Sequence, residues 1–416
     1  MFAIPLPYPR RALASIGIIL AALTGRAAID KIIALRAGPE TVALVAQLQS
    51  VIDLVSSVSL AGIGQGLTVL VAQASDPNTR WRLFGCAVWL SLGTSLLAAL
   101  IASIWAESLS ALLSDARLAA HLFVLAAFSG WIGVVPGLVN AVWLGEQRQD
   151  RVLMLTLFAV AVSVAAVLSA STSRLLPTVV LAQAAAAIVV AALLLTYAAT
   201  RPPAHGHVTA VRRNWRDLAK YLPVGLSIGI LSPASMLIAR SILSQSLSWR
   251  DVGVLQALWR SSDWITSIAA GLMSFYFLTR FSRAAGAGAL TRELLHAAAF
   301  ILIPAGVLLG LLLVNQKVIL AGLYEATFVI TDRAAALFLL GDWVRIASWI
   351  SLYALLATRR TVAVAVGEVL SLPLFAGLLG VFSHGLTLER AALLYLLTYA
   401  SYLAFNATAL LIRGLR

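Results

Sequence analysis

Apolar residues run through this chain in blocks of about twenty, separated by short polar breaks, and the blocks recur along its whole length. A block of ~20 apolar residues is long enough to cross ~30 Å of hydrocarbon as a helix. No alternating ten-residue pattern of the kind that builds a transmembrane β-barrel is present. The pattern predicts an all-α integral membrane protein with about twelve spans, at 11–35, 41–72, 82–105, 118–144, 152–171, 176–199, 219–244, 252–279, 293–314, 332–358, 361–382 and 389–412. The second span is long, and its AGIGQG (61–66) is expected to bend or tilt it. Pro136, Pro223, Pro233, Pro304 and Pro373 interrupt other spans, where membrane helices tolerate them either as static kinks or as bends that move.

The polar breaks set the topology. The one long polar connection, TRPPAHGHVTAVRRNWRD (200–217), lies near the middle of the chain. With both termini inside, cytoplasmic segments hold 18 of the 30 Lys and Arg residues, the opposite side holds 7 and the spans hold 5. That bias places the termini and the 200–217 linker in the cytoplasm. A shift of 210 residues lays ETVALVAQLQSVIDLV (40–55) over RDVGVLQALWRSSDWI (250–265), so that Asp53 meets Asp263, and it carries the fifth and sixth spans onto the eleventh and twelfth. The expected architecture is two pseudo-symmetric six-helix lobes around a central cavity: 1–199, a linker at 200–217, and 218–416. Six spans return the chain to the same side, so the repeat is parallel.

Composition narrows the function. Of 416 residues, 61% are hydrophobic and 11% charged, far below the roughly one quarter charged that soluble domains carry. The net charge of +13 follows mostly from topology, so no nucleic-acid partner is expected. Arg10-Arg11 before an apolar stretch resembles the start of an export signal. The run continues through Ile32–Leu35 into further spans, and is read as the first helix. The single cysteine, Cys86, can form no intrachain disulfide, and His205 and His207 lie in the polar linker, where a solvated loop is the plainer reading than a metal site. No glycine-rich phosphate loop, GxSxG or HExxH occurs, so neither an ATPase nor a hydrolase is expected, and no cofactor. Energy has to come from a gradient or from the substrate.

Ten ionisable residues stand within or at the edge of spans: Arg26, Asp30, Lys31, Asp53, Arg240, Arg260, Asp263, Asp342, Arg345 and Glu368. Each central one costs ~2.5–3.5 kcal/mol to insert. Arg26 and Asp30 are spaced i,i+4, and Arg260 with Asp263 and Asp342 with Arg345 are spaced i,i+3, so each pair shares a helix face. Pairing lowers the cost without cancelling it. Two readings stay open: ion pairs that lock helices together, or side chains facing a water-filled cavity between the lobes. Lys31 and Arg240 have no acid at i±3 or i±4, which favours the second reading for them. Arginines in such a cavity can hold a phosphate-bearing headgroup through forked hydrogen bonds. The acids can instead carry H+ or bind Na+. Trp259, Trp264, Trp343 and Trp349 sit beside the charged positions, where an aromatic face can meet a sugar ring.

KIIALRAGPETVALVAQLQSVIDLVSSVSLAGIGQGLTVLVAQ (31–73) resembles the opening of Wzx-type flippases, most closely the enterobacterial common antigen branch, in which a lysine ends the first helix before a glycine-proline turn. SWRDVGVLQALWRSSD (248–263) and GDWVRIASWISLYALLA (341–357) are similar to that branch as well, while the proline- and histidine-rich linker and Arg260 depart from it. The resemblance implies a member of the multidrug/oligosaccharidyl-lipid/polysaccharide exporter superfamily. Such a protein passes an undecaprenyl-diphosphate-linked oligosaccharide across the bacterial inner membrane for O-antigen or related surface polysaccharide, with a polysaccharide polymerase and chain-length regulator as further partners. On this reading Arg26, Lys31, Arg240, Arg260 and Arg345 bind substrate, and Asp30, Asp53, Asp263, Asp342 and Glu368 complete ion pairs or carry a coupling ion. A cation-coupled drug antiporter and a lipid-linked peptidoglycan precursor flippase are the alternatives. The first wants a cavity dominated by acids, and the second is expected to have two additional helices.

Overall fold

The computed structural model describes residues 8–74, 76–114, 117–199, 222–284, 287–358 and 360–412, with Trp215 and Leu218; the rest of the 200–217 linker lies outside the described residues. Among them no strand occurs. This is what lipid demands, since a helix satisfies its backbone within itself where no water can do so.

The helices, in chain order, are α1 (Tyr8–Ser59), α2 (Gln65–Gln73), α3 (Pro77–Ile104), α4 (Ala106–Ser114), α5 (Ala120–Gly145), α6 (Gln149–Ser169), α7 (Leu175–Ala199), α8 (Leu222–Ser246), α9 (Trp249–Leu272), α10 (Leu278–Arg283), α11 (Ala287–Val314), α12 (Gln316–Leu323), α13 (Asp332–Ala357), α14 (Thr361–Val369), α15 (Leu372–Val381) and α16 (Leu388–Leu411). Wide π-helical turns, Leu60–Gly64 and Met273–Phe277, join α1 to α2 and α9 to α10. Several starts are capped by residues plain in the sequence. Asp76 accepts from the backbone N–H groups of Asn78 and Thr79, Ser248 from Asp251, Thr331 from Ala334 and Thr387 from Arg390.

Among the described residues, eight stretches are long and apolar enough to cross a membrane, and a bent pair, Gly17–Val58 with Gly62–Ala72, raises the number to nine. The bend is 52° and falls at the AGIGQG sequence. Three differences from the expected spans have local causes. The first two spans run on as α1, broken at Gly38, whose φ of 73° favours glycine and is followed by Pro39. The eleventh divides into α14 and α15 just before Pro373. The eighth, α9, is the least apolar because it carries Arg250, Asp251, Arg260 and Asp263.

The chain divides into two compact units. The first comprises Met1–Arg36 and Val45–Leu237, and the second Ala37–Leu44 and Ile238–Arg416. The order of elements repeats between them. Both ends of α3, shifted by 210, coincide with both ends of α11, and each is followed by a short helix, α4 or α12. A hydrogen bond repeats too. Trp131 Nε1 donates to the Leu92 carbonyl at 3.1 Å in the first unit, and Trp343 Nε1 donates to the Leu302 carbonyl at 3.0 Å in the second. These tryptophans pin neighbouring helices within each unit.

Small residues let the helices approach where lipid supplies no hydrophobic drive. In the first unit α5 buries Ala126, Ala127, Ser129, Gly130, Ala141 and Gly145. Polar clamps add to this. Arg36 donates to the carbonyls of Val167, Leu168 and Ala170 at 2.9–3.0 Å, satisfying the open end of α6. In the second unit Arg360 holds the end of α16 through Ala409, Leu410 and Ile412. Replacing Arg36 by methionine is expected to cost about 1–2 kcal/mol of stability, the scale of charge-assisted bonds at a partly exposed helix end. Thermal unfolding of the purified variant checks this, and an unchanged midpoint contradicts the clamp.

Candidate functional site

Two stripes in the second unit build the site. On α13, Asp342, Arg345 and Trp349 are spaced by three and four residues and share one face. On α16, Tyr395, Tyr399 and Tyr402 are spaced by four and three. The two helices pack along their lengths. At Gly341 an added Cβ would lie 2.5 Å from the Tyr395 ring, so glycine there is what lets the phenol lie against α13.

The contacts follow from that approach. The Tyr395 hydroxyl donates to Asp342 Oδ1 at 2.7 Å, and both residues are fully buried. Arg345 Nη1 stands 3.7 Å from the same oxygen, an ion pair too long to be a hydrogen bond. The Arg345 side chain is 18% exposed. Its guanidinium carbon lies 4.9 Å from the centre of the Trp349 ring and 5.6 Å from that of Tyr399, so the charge rests on two aromatic faces. Asp263 on α9 and Glu368 on α14 act electrostatically on Arg345, and Tyr402 donates to Glu368 Oε1 at 3.0 Å. Beneath them Trp259, Phe338, Phe375 and Tyr395 pack ring against ring, with centroids 4.6–5.3 Å apart.

Asp263, Asp342, Arg345 and Glu368 are thus brought into one neighbourhood. Arg240 on α8 is buried in the same unit and donates from Nε to Gln256 Oε1 on α9 at 3.0 Å. Arg260 is half-buried on α9. The other four lie on α1 in the first unit. Asp30 is buried, with Arg26 and Lys31 half-buried beside it in sequence. Asp53 accepts from Gln49 Nε2 at 2.8 Å, and Gln49 Oε1 accepts from Gln183 Nε2 at 2.5 Å, a polar chain linking α1 to α7. Of the tryptophans beside the charges, Trp349 flanks the cation, while Trp259 is buried in the aromatic packing and Trp343 is engaged with Leu302. Among the described residues no group of three His, Cys, Asp or Glu side chains converges as a metal ion requires.

Sequence reasoning overlooked the tyrosines. Their i, i+4, i+7 spacing in a membrane-spanning helix was the available signal, since three hydroxyls on one membrane-embedded face need partners. Gln256 was likewise hidden, because its partner comes from another helix.

No family model matches the sequence, and no curated protein matches it. Solved structures do. A MATE transporter in complex with MaL6 is 13% identical with a TM-score of 0.63, over 95% of this chain and 96% of that one. A MOP superfamily transporter from Pyrococcus furiosus, described as having a binding pocket of reverse polarity, is 12% identical with a TM-score of 0.62, over 95% of each chain. The lipid II flippase MurJ in an inward closed conformation is 12% identical with a TM-score of 0.68, over 97% of this chain and 87% of that one. At such identities likeness carries the fold and not the cargo. The chain is a multi-pass helical membrane protein with the fold of the MOP superfamily transporters.

Proposed function

We propose that this protein is a flippase of the Wzx type, passing an undecaprenyl-diphosphate-linked oligosaccharide repeat unit across the bacterial inner membrane by alternating access. The observation that carries the proposal is Arg345, a guanidinium within a membrane-spanning helix, poised on the faces of Trp349 and Tyr399 with its Nη1 held by no hydrogen bond among the described residues. A half-buried cation with a buried, unmet donor suits an anionic ligand, and a diphosphate offers oxygens that match the guanidinium fork. The aromatic faces beside it suit a sugar ring. Arg26, Lys31, Arg240 and Arg260 supply further cations, and Asp30, Asp53, Asp263, Asp342 and Glu368 complete ion pairs or carry a coupling ion on the return. The termini and the 200–217 linker then lie in the cytoplasm, and a polysaccharide polymerase with its chain-length regulator takes the product.

The fold shared with a lipid II flippase supports a lipid-linked headgroup. A peptidoglycan precursor offers the same diphosphate, so the glycan distinguishes the two readings. An exporter of cationic drugs has less use for an arginine resting on aromatic rings within a span. A strain lacking the protein is expected to accumulate lipid-linked oligosaccharide whose mass spectrum reads as a polysaccharide repeat unit. Accumulation of a peptidoglycan precursor instead, or of no lipid-linked glycan, contradicts the proposal.

A further inference from the structure

We infer that Tyr395 is a positioning residue: by donating to Oδ1 of Asp342 it keeps that carboxylate from closing on Arg345 and leaves the guanidinium open to a diphosphate. This inference rests on the reading of Arg345 given above.

Asp342 and Arg345 lie three residues apart on α13, a spacing at which an acid and a base can meet. A closed pair places nitrogen and oxygen about 2.7–2.9 Å apart, often through two parallel bonds. Here the separation is 3.7 Å, and the oxygen facing Nη1 is the one that accepts the Tyr395 proton at 2.7 Å. The phenol, rather than the guanidinium, makes the short bond. The acid is thus held from α16, a different helix from the one that carries Arg345. Arg345 is then held by ring faces, which attract its charge without using its N–H groups. Tyr395 is 0% exposed and walled in by Trp259, Phe338, Phe375 and Tyr399. It touches no ligand itself, and its influence passes through Asp342.

Removing the hydroxyl therefore harms binding only while the acid is there to close on Arg345. The test measures equilibrium binding of inorganic pyrophosphate, the headgroup alone, and of farnesyl diphosphate, a lipid-linked form, to the full chain in nanodiscs. Tyr395→Phe is expected to weaken binding of both probes about tenfold or more, the scale of one hydrogen bond to a charged group. Adding Asp342→Asn is expected to restore binding to within about twofold of the unaltered protein, a recovery that damaged packing cannot produce. Asp342→Asn alone, which leaves Tyr395 in place, is expected to bind at least as tightly as the unaltered protein. Thermal unfolding in the same nanodiscs confirms that each variant is folded, and Asp342→Asn keeps the test decisive if Tyr395→Phe is not.

Arg345→Ala separates the two readings. If it binds both probes as the unaltered protein does, the diphosphate role of Arg345 fails, and this inference with it. If Arg345→Ala loses binding while Tyr395→Phe keeps it, the role of Arg345 stands and the positioning role of Tyr395 is overturned. Loss in Tyr395→Phe that Asp342→Asn does not restore, or weaker binding in Asp342→Asn alone, overturns it as well.

Discussion

Alanine at Arg240 or at Arg260 is expected to abolish export at normal protein levels, whereas lysine at either position retains part of it. Both residues lie in the second unit, and Arg240 is buried with its Nε committed to Gln256. A forked contact to a diphosphate contributes two charge-assisted bonds of about 1.5–3 kcal/mol each, so truncation removes a factor of a hundred or more. Lysine keeps the charge and gives up the fork, which predicts an intermediate loss. Surface polysaccharide measured in strains that express each variant at equal membrane abundance checks both statements. Normal export in the two alanine variants would remove the diphosphate clamp.

Alanine at Gly253 is expected to prevent the second unit from assembling. An added Cβ there would land on the backbone carbonyl of Pro39, in the short segment of α1 that belongs to the same unit. A side chain can rotate away from a clash, but a carbonyl fixed between Gly38 and a helix cannot. Overpacking of this kind typically costs about 1–3 kcal/mol or more, and this contact lies at the severe end. Gly85 and Gly93 on α3 provide the control, since a Cβ at either meets nothing within 4 Å. Alanine there is expected to be neutral or to stabilise by about 0.5–1 kcal/mol, as in any exposed helix. Size-exclusion profiles of fluorescently tagged variants report the difference, and a normal monodisperse peak for Gly253→Ala contradicts the packing argument.

Much of the fold was open to reading because lipid imposes length and hydropathy on every span. The repeat at 210 residues reappears in the ends of α3 and α11, and Trp131 and Trp343 make matching bonds in the two units, although in sequence Trp343 read as a face for a sugar ring beside the charges. The Asp342–Arg345 pair was legible from its spacing, since partners on one helix need no tertiary information. What spacing could not convey was the length of that pair, which Tyr395 sets from another helix. Nor could it convey the glutamine chain to Asp53, whose far member lies on α7. Where a polar group's partner comes from a distant helix, packing identifies it, and the traces left in sequence are small residues such as Gly341 and the spacing of the tyrosines on α16.

The most direct test of the account is leaflet translocation in sealed vesicles containing only this protein and a labelled polyprenyl-diphosphate oligosaccharide. The unaltered protein is expected to render inner-leaflet glycan accessible to an external glycan-modifying enzyme, and Arg345→Ala, incorporated to the same density, is expected to leave it protected. Protection in both, or equal exposure in both, would contradict the claim that the Arg345 guanidinium carries the diphosphate across.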